Sequence, residues 1–422
     1  MAGFTLELPT LQNWSCHSCG DCCRKHLVEI TEEERQRIAD QNWKPEDDIP
    51  EGMPVVVKFG PPWRRRWRLN SLDDGACVFL DEKGLCRMHA KFGEPSKPLA
   101  CRVYPYAFHP SGKKVTVSFR FSCPSVVGCK GKGIEDQRKD LQKMAKEVVP
   151  PTVTDMPAPN ITSSQQADWP DFKRFVRRLD DTMSDPGLPV AVKLMRSLYW
   201  VNIVNQSKFD SVLGGRLDEF LQIISETAEQ EVARDMSRVD EPTRSGRLMF
   251  RMLASQYARN DSLSNWETGL RGRMRLFATG VKFARGNGNV PPLHDVFTPI
   301  AFDALEQPFG GLTDEAEEMF TRYFRVKTQG LQFCGRAFFD IPFVEGFQAL
   351  ALVYPSMLWL ARWLAVGKGR DKLSTQDVAD AIALADHYHG YTPQFGQRNF
   401  RRRVRMLAFT GDIARLVAWY SR

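Results

Sequence analysis

Residues 16–23 read CHSCGDCC, four cysteines in eight positions. So much sulfur in one short loop leaves a chain two ways to fold: the thiols are oxidised in pairs, or they hold a metal. Ten cysteines are present, at 16, 19, 22, 23, 77, 86, 101, 123, 129 and 334, and nine fall within the first 129 residues. Those nine form a set and Cys334 stands apart. The start, MAGFTLELPTLQNWSC, has neither a basic n-region nor a continuous apolar core, so a cytoplasmic protein is expected. Thiols stay reduced there, and small disulfide-rich secreted domains do not usually trail nearly 300 cysteine-poor residues. Metal ligation is the better reading.

The spacing narrows it. Cys16-x2-Cys19-x2-Cys22 is expected to bring three thiolates to one point on a tight loop, with Gly20 allowing the sharp turn. Zinc knuckles usually take one C-x2-C pair from such a loop. Two successive x2 spacings resemble the run that wraps a cubane iron–sulfur cluster, whose fourth ligand comes from farther along. The vicinal Cys23 is expected to point away from Cys22, serving a second site, packing, or staying free. Cys77, Cys86, Cys101, Cys123 and Cys129 supply more ligands than one tetrahedral ion uses. Thiolate softness leaves zinc, Cu(I) and iron–sulfur open. The bland alternative is a closed site that only staples a small domain. Of His17, His26, His89 and His109, only His17, inside the knot, is promoted to a candidate ligand.

Periodicity predicts an α+β chain: a small, loop-rich, metal-stapled cysteine domain over 1–133, a linker or crossover over 134–170, and a mainly helical domain over 171–422. LVEITEEERQRIADQ (27–41) reads as a strand entering a helix, with Thr31 and Glu34 at capping-box spacing. PVVVKF (54–59), WRRRWRL (63–69) and VTVSFRFSC (115–123) alternate as strands, and ACVFLDEKGLC (76–86) reads as a strand, a turn at Lys83-Gly84 and a return. In the helical part, Ser374 is a candidate N-cap. The run FQALALVYPSMLWLARWLAV (347–366) carries Pro355 and Arg362, which fits a buried helix pair better than a membrane span. His387 and His389 fall near a helix end, where a solvated or capping role is the default.

Net charge is +7, and the stretch from Gln397 to Arg422 holds seven arginines against Asp412. Arginine interleaved with tryptophan in WRRRWR could meet phosphates and bases. A strand with one covered face explains the same alternation, so nucleic acid is not the expected partner.

With these residues laid out, the N-terminal third resembles the CxxCxxCC family of zinc- or iron-chelating cysteine-cluster proteins. The resemblance rests on CHSCGDCC, VEITEEERQRIA (28–39), GACVFLDEKGLCRMH (75–89), PLACRVYPYAF (98–108) and FSCP (121–124). It implies bound iron or zinc, with Cys16, Cys19, Cys22, Cys23, Cys77, Cys86, Cys101 and Cys123 as the ligand pool. Cys101 and Cys86 lead for the fourth position of a [4Fe–4S] cluster. CVFLDEKGLCRMHAKFG, SCPSV and, more loosely, LSTQDVADAIALADHYHGYTPQF are also similar to flagellin lysine-N-methylases. That similarity implies an iron–sulfur protein transferring methyl groups from S-adenosylmethionine to lysines of flagellin or another protein. Here the leading cysteines are spaced more closely than in that family, and Tyr106 stands where it has a basic residue. No glycine-rich cofactor loop and no catalytic residue can be named from the sequence. The alternative is a non-enzymatic chelating or metal-sensing protein.

Overall fold

The computed structural model describes residues 4–150, 156–209, 211–259 and 269–422, so residues 151–155 of the expected linker lie outside it. The first part is built on two small sheets. In one, β1 (Thr5–Glu7) runs parallel to β6 (Lys114–Phe119), which pairs antiparallel with β5 (Tyr106–Ser111). In the other, β4 (Arg66–Leu69) lies between β2 (Glu29–Ile30) and β3 (Val56–Phe59). Short helices carry the chain between them: α1 (Asp21–Lys25), α2 (Glu32–Asp40), α3 (Arg87–Phe92), α4 (Leu99–Val103) and α5 (Pro124–Val127). The longer α6 (Arg138–Val148) falls inside the segment read as a linker.

The remainder is helical: α7 (Trp169–Ser184), α8 (Val190–Gln206), α9 (Gly215–Glu231), α10 (Arg244–Tyr257), α11 (Gly269–Arg285) and α12 (Asp314–Gln329), then α13 (Phe343–Ala351), α14 (Val353–Gly367), α15 (Thr375–Tyr388), α16 (Arg398–Phe409) and α17 (Asp412–Tyr420). The mixed α+β chain with a mostly helical C-terminal part therefore stands. Expected caps are in place, since Thr31 and Glu34 form a capping box on α2 and Ser374 caps α15. The apolar run becomes α13 and α14. The stretch Phe343–Gly367 is long and apolar enough to cross a membrane, but 94% of its most apolar window is buried inside the protein.

Three local readings are corrected. The strand read over 63–69 begins only at Arg66; Pro62–Arg64 is a 3-10 turn that leaves Trp63 exposed. Its prolines fix φ and remove donors, so the ladder cannot start earlier. Trp67 is the covered ring, flanked by Lys58 and Arg35, while Arg66 pairs with both oxygens of Glu29. Over 76–86 only the isolated bridges Ser71–Cys77 and Leu80–Cys86 form, because the Asp81 carboxylate caps the backbone of Lys83 and Leu85 into a turn. His389 is the C-cap residue of α15 but is not solvated: it is buried with Nδ1 at 2.9 Å from the Tyr257 hydroxyl, while the half-buried His387 packs at a tilt against His26.

One large apolar core holds residues from Leu6 on β1 through Tyr420 on α17, and a smaller one gathers Ile30, Ile38, Leu69, Val78, Phe79 and Met88. Both faces of β6 are covered. Gly330, just past α12, sits where a Cβ would come within 2.2 Å of the Ser118 Cβ, so only glycine permits this approach. Behind it the fully buried Lys327 lies 2.6 Å from Asp386. Its ammonium also donates to the Phe119 carbonyl and to Gln332, while Asp386 accepts from the backbone N–H of Ser122.

Two outcomes follow. Asp386→Ala leaves a buried, unpaired ammonium and should lower the unfolding free energy by about 3 kcal/mol or more in urea titration. Burial, with the charge of Lys327 adding to it, holds His109 and His389 down to about 4 and about 3. Unfolded histidines titrate near 6.5. Below that pH the unfolded chain takes up protons that the folded one refuses. Stability is therefore full above about pH 6.5 and falls toward pH 4, by about 1.4 kcal/mol per pH unit for each histidine. His387, also held down to about 4, and His26 add to the same slope, so His389→Gln should reduce it by one histidine's share, about 1.4 kcal/mol per pH unit.

Candidate metal centre

Four segments of chain deliver the cysteines to one region. The stretch before Cys16 is pinned to 126–132: Trp14 and Ser15 donate backbone N–H groups to Lys132 and Lys130, and Gln12 donates to the Val126 carbonyl. Gly20, at φ 70°, then turns the chain into α1, which carries Cys22 and Cys23. Gly84, also left-handed at φ 79°, passes so close beneath that a Cβ there would lie 2.4 Å from the Ser18 carbonyl oxygen. Cys77 donates its backbone N–H to the Cys23 carbonyl at 2.7 Å. Cys86 is the residue preceding α3, and Cys123 precedes α5. Cys101 lies within α4, whose Leu99 N–H donates to Glu34, the capping glutamate of α2.

These cysteines surround two adjoining cavities of about 480 and 300 Å³. Cys16, Cys19 and Cys123 line the outer, larger one, and Cys77 lines the inner one. Cys22, Cys23, Cys86 and Cys101 line both and form the wall between them. All eight cysteines of the expected pool are thus brought together. Cys129 is not: its sulfur accepts from the Asn13 N–H and lies near the Leu11 carbonyl, a structural tie. Cys334 is buried in the large core. His17, the promoted histidine, lines the outer cavity with Nδ1 at 3.1 Å from the Ser125 hydroxyl.

Two expectations change. Cys23 does not turn away from Cys22; their sulfurs are 3.9 Å apart, because a short helix lets both side chains lean toward the same space. Nor do Cys16, Cys19 and Cys22 converge on a point. Among the described residues no three of His, Cys, Asp or Glu meet in a ready-made ligand set. The thiols encircle a volume instead.

No disulfide links any of the cysteines, and all ten are free. Several of the buried ones resist ionisation. A hydrogen bond from its neighbour Cys23, then burial, pushes Cys22 up. Burial, with Cys86 and Cys22 nearby, pushes Cys77 up to about 11. Burial and then the charge of Cys77 do the same for Cys101, and burial raises Cys123. A thiophilic cation reverses this balance, since bound thiols deprotonate outright. The donor set is dominated by sulfur, with His17 and His89 also on the outer cavity, and it fits a soft metal or a thiolate-held cluster.

The sequence reading overlooked what stands behind the inner cavity. Tyr104, Arg120 and His26 line its rear wall. Arg120 follows the polar parity of Thr116 and Ser118 in an alternating strand, a buried-face signal that was visible.

Residues 15–124 match the family model CxxCxxCC, described as "Putative zinc- or iron-chelating domain". No curated protein and no solved structure matches the chain. The resemblance to flagellin lysine-N-methylases is accordingly not supported by these comparisons.

Brief alkylation of metal-free protein should mark Cys16 and Cys19 first, the two exposed thiols. Cys77 and Cys101 should lag and Cys334 resist longest, since burial keeps them as neutral thiols. Peptide mass spectrometry reads the order; early labelling of Cys101 would contradict the wall described above.

Proposed function

We propose that the chain is a metalloprotein whose thiol-lined wall holds iron or zinc. The observation that carries the reading is the shared wall itself. Four cysteines from three separate segments, Cys22 and Cys23, Cys86, and Cys101, separate two cavities, and none is used in a disulfide. Cys77 stands behind this wall and Cys16, Cys19 and Cys123 at its mouth. Thiols arranged around a volume suit a cluster better than a lone tetrahedral ion, so iron–sulfur is the form we favour. When bound, the metal supplies a charge that keeps these cysteines ionised, and its affinity adds to folding stability. A reducing, cytoplasmic setting agrees with ten free thiols.

A second reading, protein-lysine methylation with S-adenosylmethionine on flagellin or a similar partner, draws on the roughly 480 Å³ of open space over the thiols, within the range of small-ligand pockets. Labelled S-adenosylmethionine with flagellin-containing extracts tests it; no binding and no labelling removes it and leaves the chelating protein standing.

Elemental analysis and visible absorption of anaerobically purified protein test the first reading. Iron with a broad charge-transfer band is expected, and stoichiometric zinc without one would replace the cluster by a zinc site. Cys86→Ser and Cys101→Ser should each strip most of the metal, while Cys129→Ser and Cys334→Ser should retain it.

A further inference from the structure

Three polar atoms behind the thiol wall have no partner. The Nε of Arg120, the Nε2 of His26 and the Nδ1 of His387 are all buried without a hydrogen bond among the described residues. They lie together: the His26 ring packs at a tilt on that of His387 at 4.7 Å between centres, and the Arg120 side chain reaches the backbone carbonyl of His387 only at 3.5 Å. Buried polar groups are rarely left unpaired, and an unpaired set beside a cavity marks a place where something polar belongs.

Two of the three residues, Arg120 and His26, line the inner 300 Å³ cavity. The guanidinium of Arg120 is held flat against the Tyr391 ring at 3.8 Å, with Tyr104 on its flank. Lys97 lines the same space. The acidic side chain there, Glu29, has both oxygens on Arg66. Beside its thiols the cavity therefore holds two cations, Arg120 and Lys97, and among the described residues no free carboxylate. A planar guanidinium pairs best with a carboxylate. His26 adds a different demand. Its Nδ1 lies 3.2 Å from the Cys22 carbonyl, which can only accept, so Nδ1 carries the proton and Nε2 offers a bare lone pair. That atom needs a donor. Leu27, Val28, Leu69, Phe79 and Met88 supply an apolar wall.

We infer that the inner cavity binds a short hydroxycarboxylate: its carboxylate on Arg120, its hydroxyl donating to His26 Nε2, and its alkyl part on the apolar wall beside the thiols. This deepens the metal-centre reading by giving the thiol wall a ligand to face, and it rests on that reading for the opposite wall alone.

Calorimetry on the metal-loaded full chain, with lactate, propionate and lactamide, tests it. Lactate should bind best. Propionate, lacking the hydroxyl, should be weaker, and lactamide, lacking the charge, weaker still. Arg120→Gln should cost lactate about tenfold or more in affinity, the worth of a charge-assisted hydrogen bond, with metal content unchanged. His26→Phe should erase the preference for lactate over propionate. Should Arg120→Gln fail to fold, Arg120→Lys and the three-ligand series on the unaltered protein still decide. If none of the three ligands binds, or lactate binds Arg120→Gln as tightly as the parent, the inference is overturned. The same follows if Arg120→Gln sheds the metal, for then the arginine only balances thiolate charge. Metal is measured in every sample, so a chain that takes up neither iron nor zinc yet binds lactate would overturn the centre and leave this site standing.

Discussion

The ion pair between Lys327 and Asp386 is the joint on which the thiol region hangs. Taking two charges out of water costs several kcal/mol for each, and attraction alone does not offset that. Here further bonds do. The ammonium reaches the Phe119 carbonyl and Gln332, and the carboxylate takes the Ser122 N–H. Phe119 and Ser122 flank the segment that leads into Cys123, with Arg120 held between them. Helices α12 and α15 therefore determine where one lip of the thiol cleft and the cation behind it stand. The cysteine-rich part is not a bead on a string; its central strand β6 belongs to the core shared with the helices.

This arrangement makes the centre electrostatically conditional. Cys77 and Cys101 are pushed up first by burial and then by the charge of neighbouring cysteines, so a thiolate nearby makes each harder to form. A bound cation would outweigh both effects. Lys97 and Arg120 bias the region toward negative charge with or without it. That is consistent with a site that accepts anions on one side and thiolates on the other.

Elsewhere part of the basic excess is spoken for. In the C-terminal arginine run, Arg401 and Arg405 converge on the nearly buried Glu345. Arg415 reaches Asp240 and Asp412. A charge excess written in the sequence is thus partly an internal clamp between α13 and α16, not a free patch.

What the sequence determined alone was local or compositional. Thr31 with Glu34, and Ser374 alone, define helix starts because capping acts over three residues. Alternation marked β6, and the clustering of nine thiols in 129 residues pointed to metal. What it could not supply was any distance between segments far apart in the chain. A vicinal cysteine pair reads as divergent on an extended backbone, yet α1 brings the two sulfurs to 3.9 Å. Proline at 62 delayed a strand that alternation alone began at Trp63. His26, His387 and Arg120 are separated by as many as 361 positions, and nothing in their neighbourhoods announces that they meet. Only packing of α15 against the cysteine-bearing part decided that, because desolvation and unpaired hydrogen-bonding groups are properties of a shared interior and not of a stretch of chain.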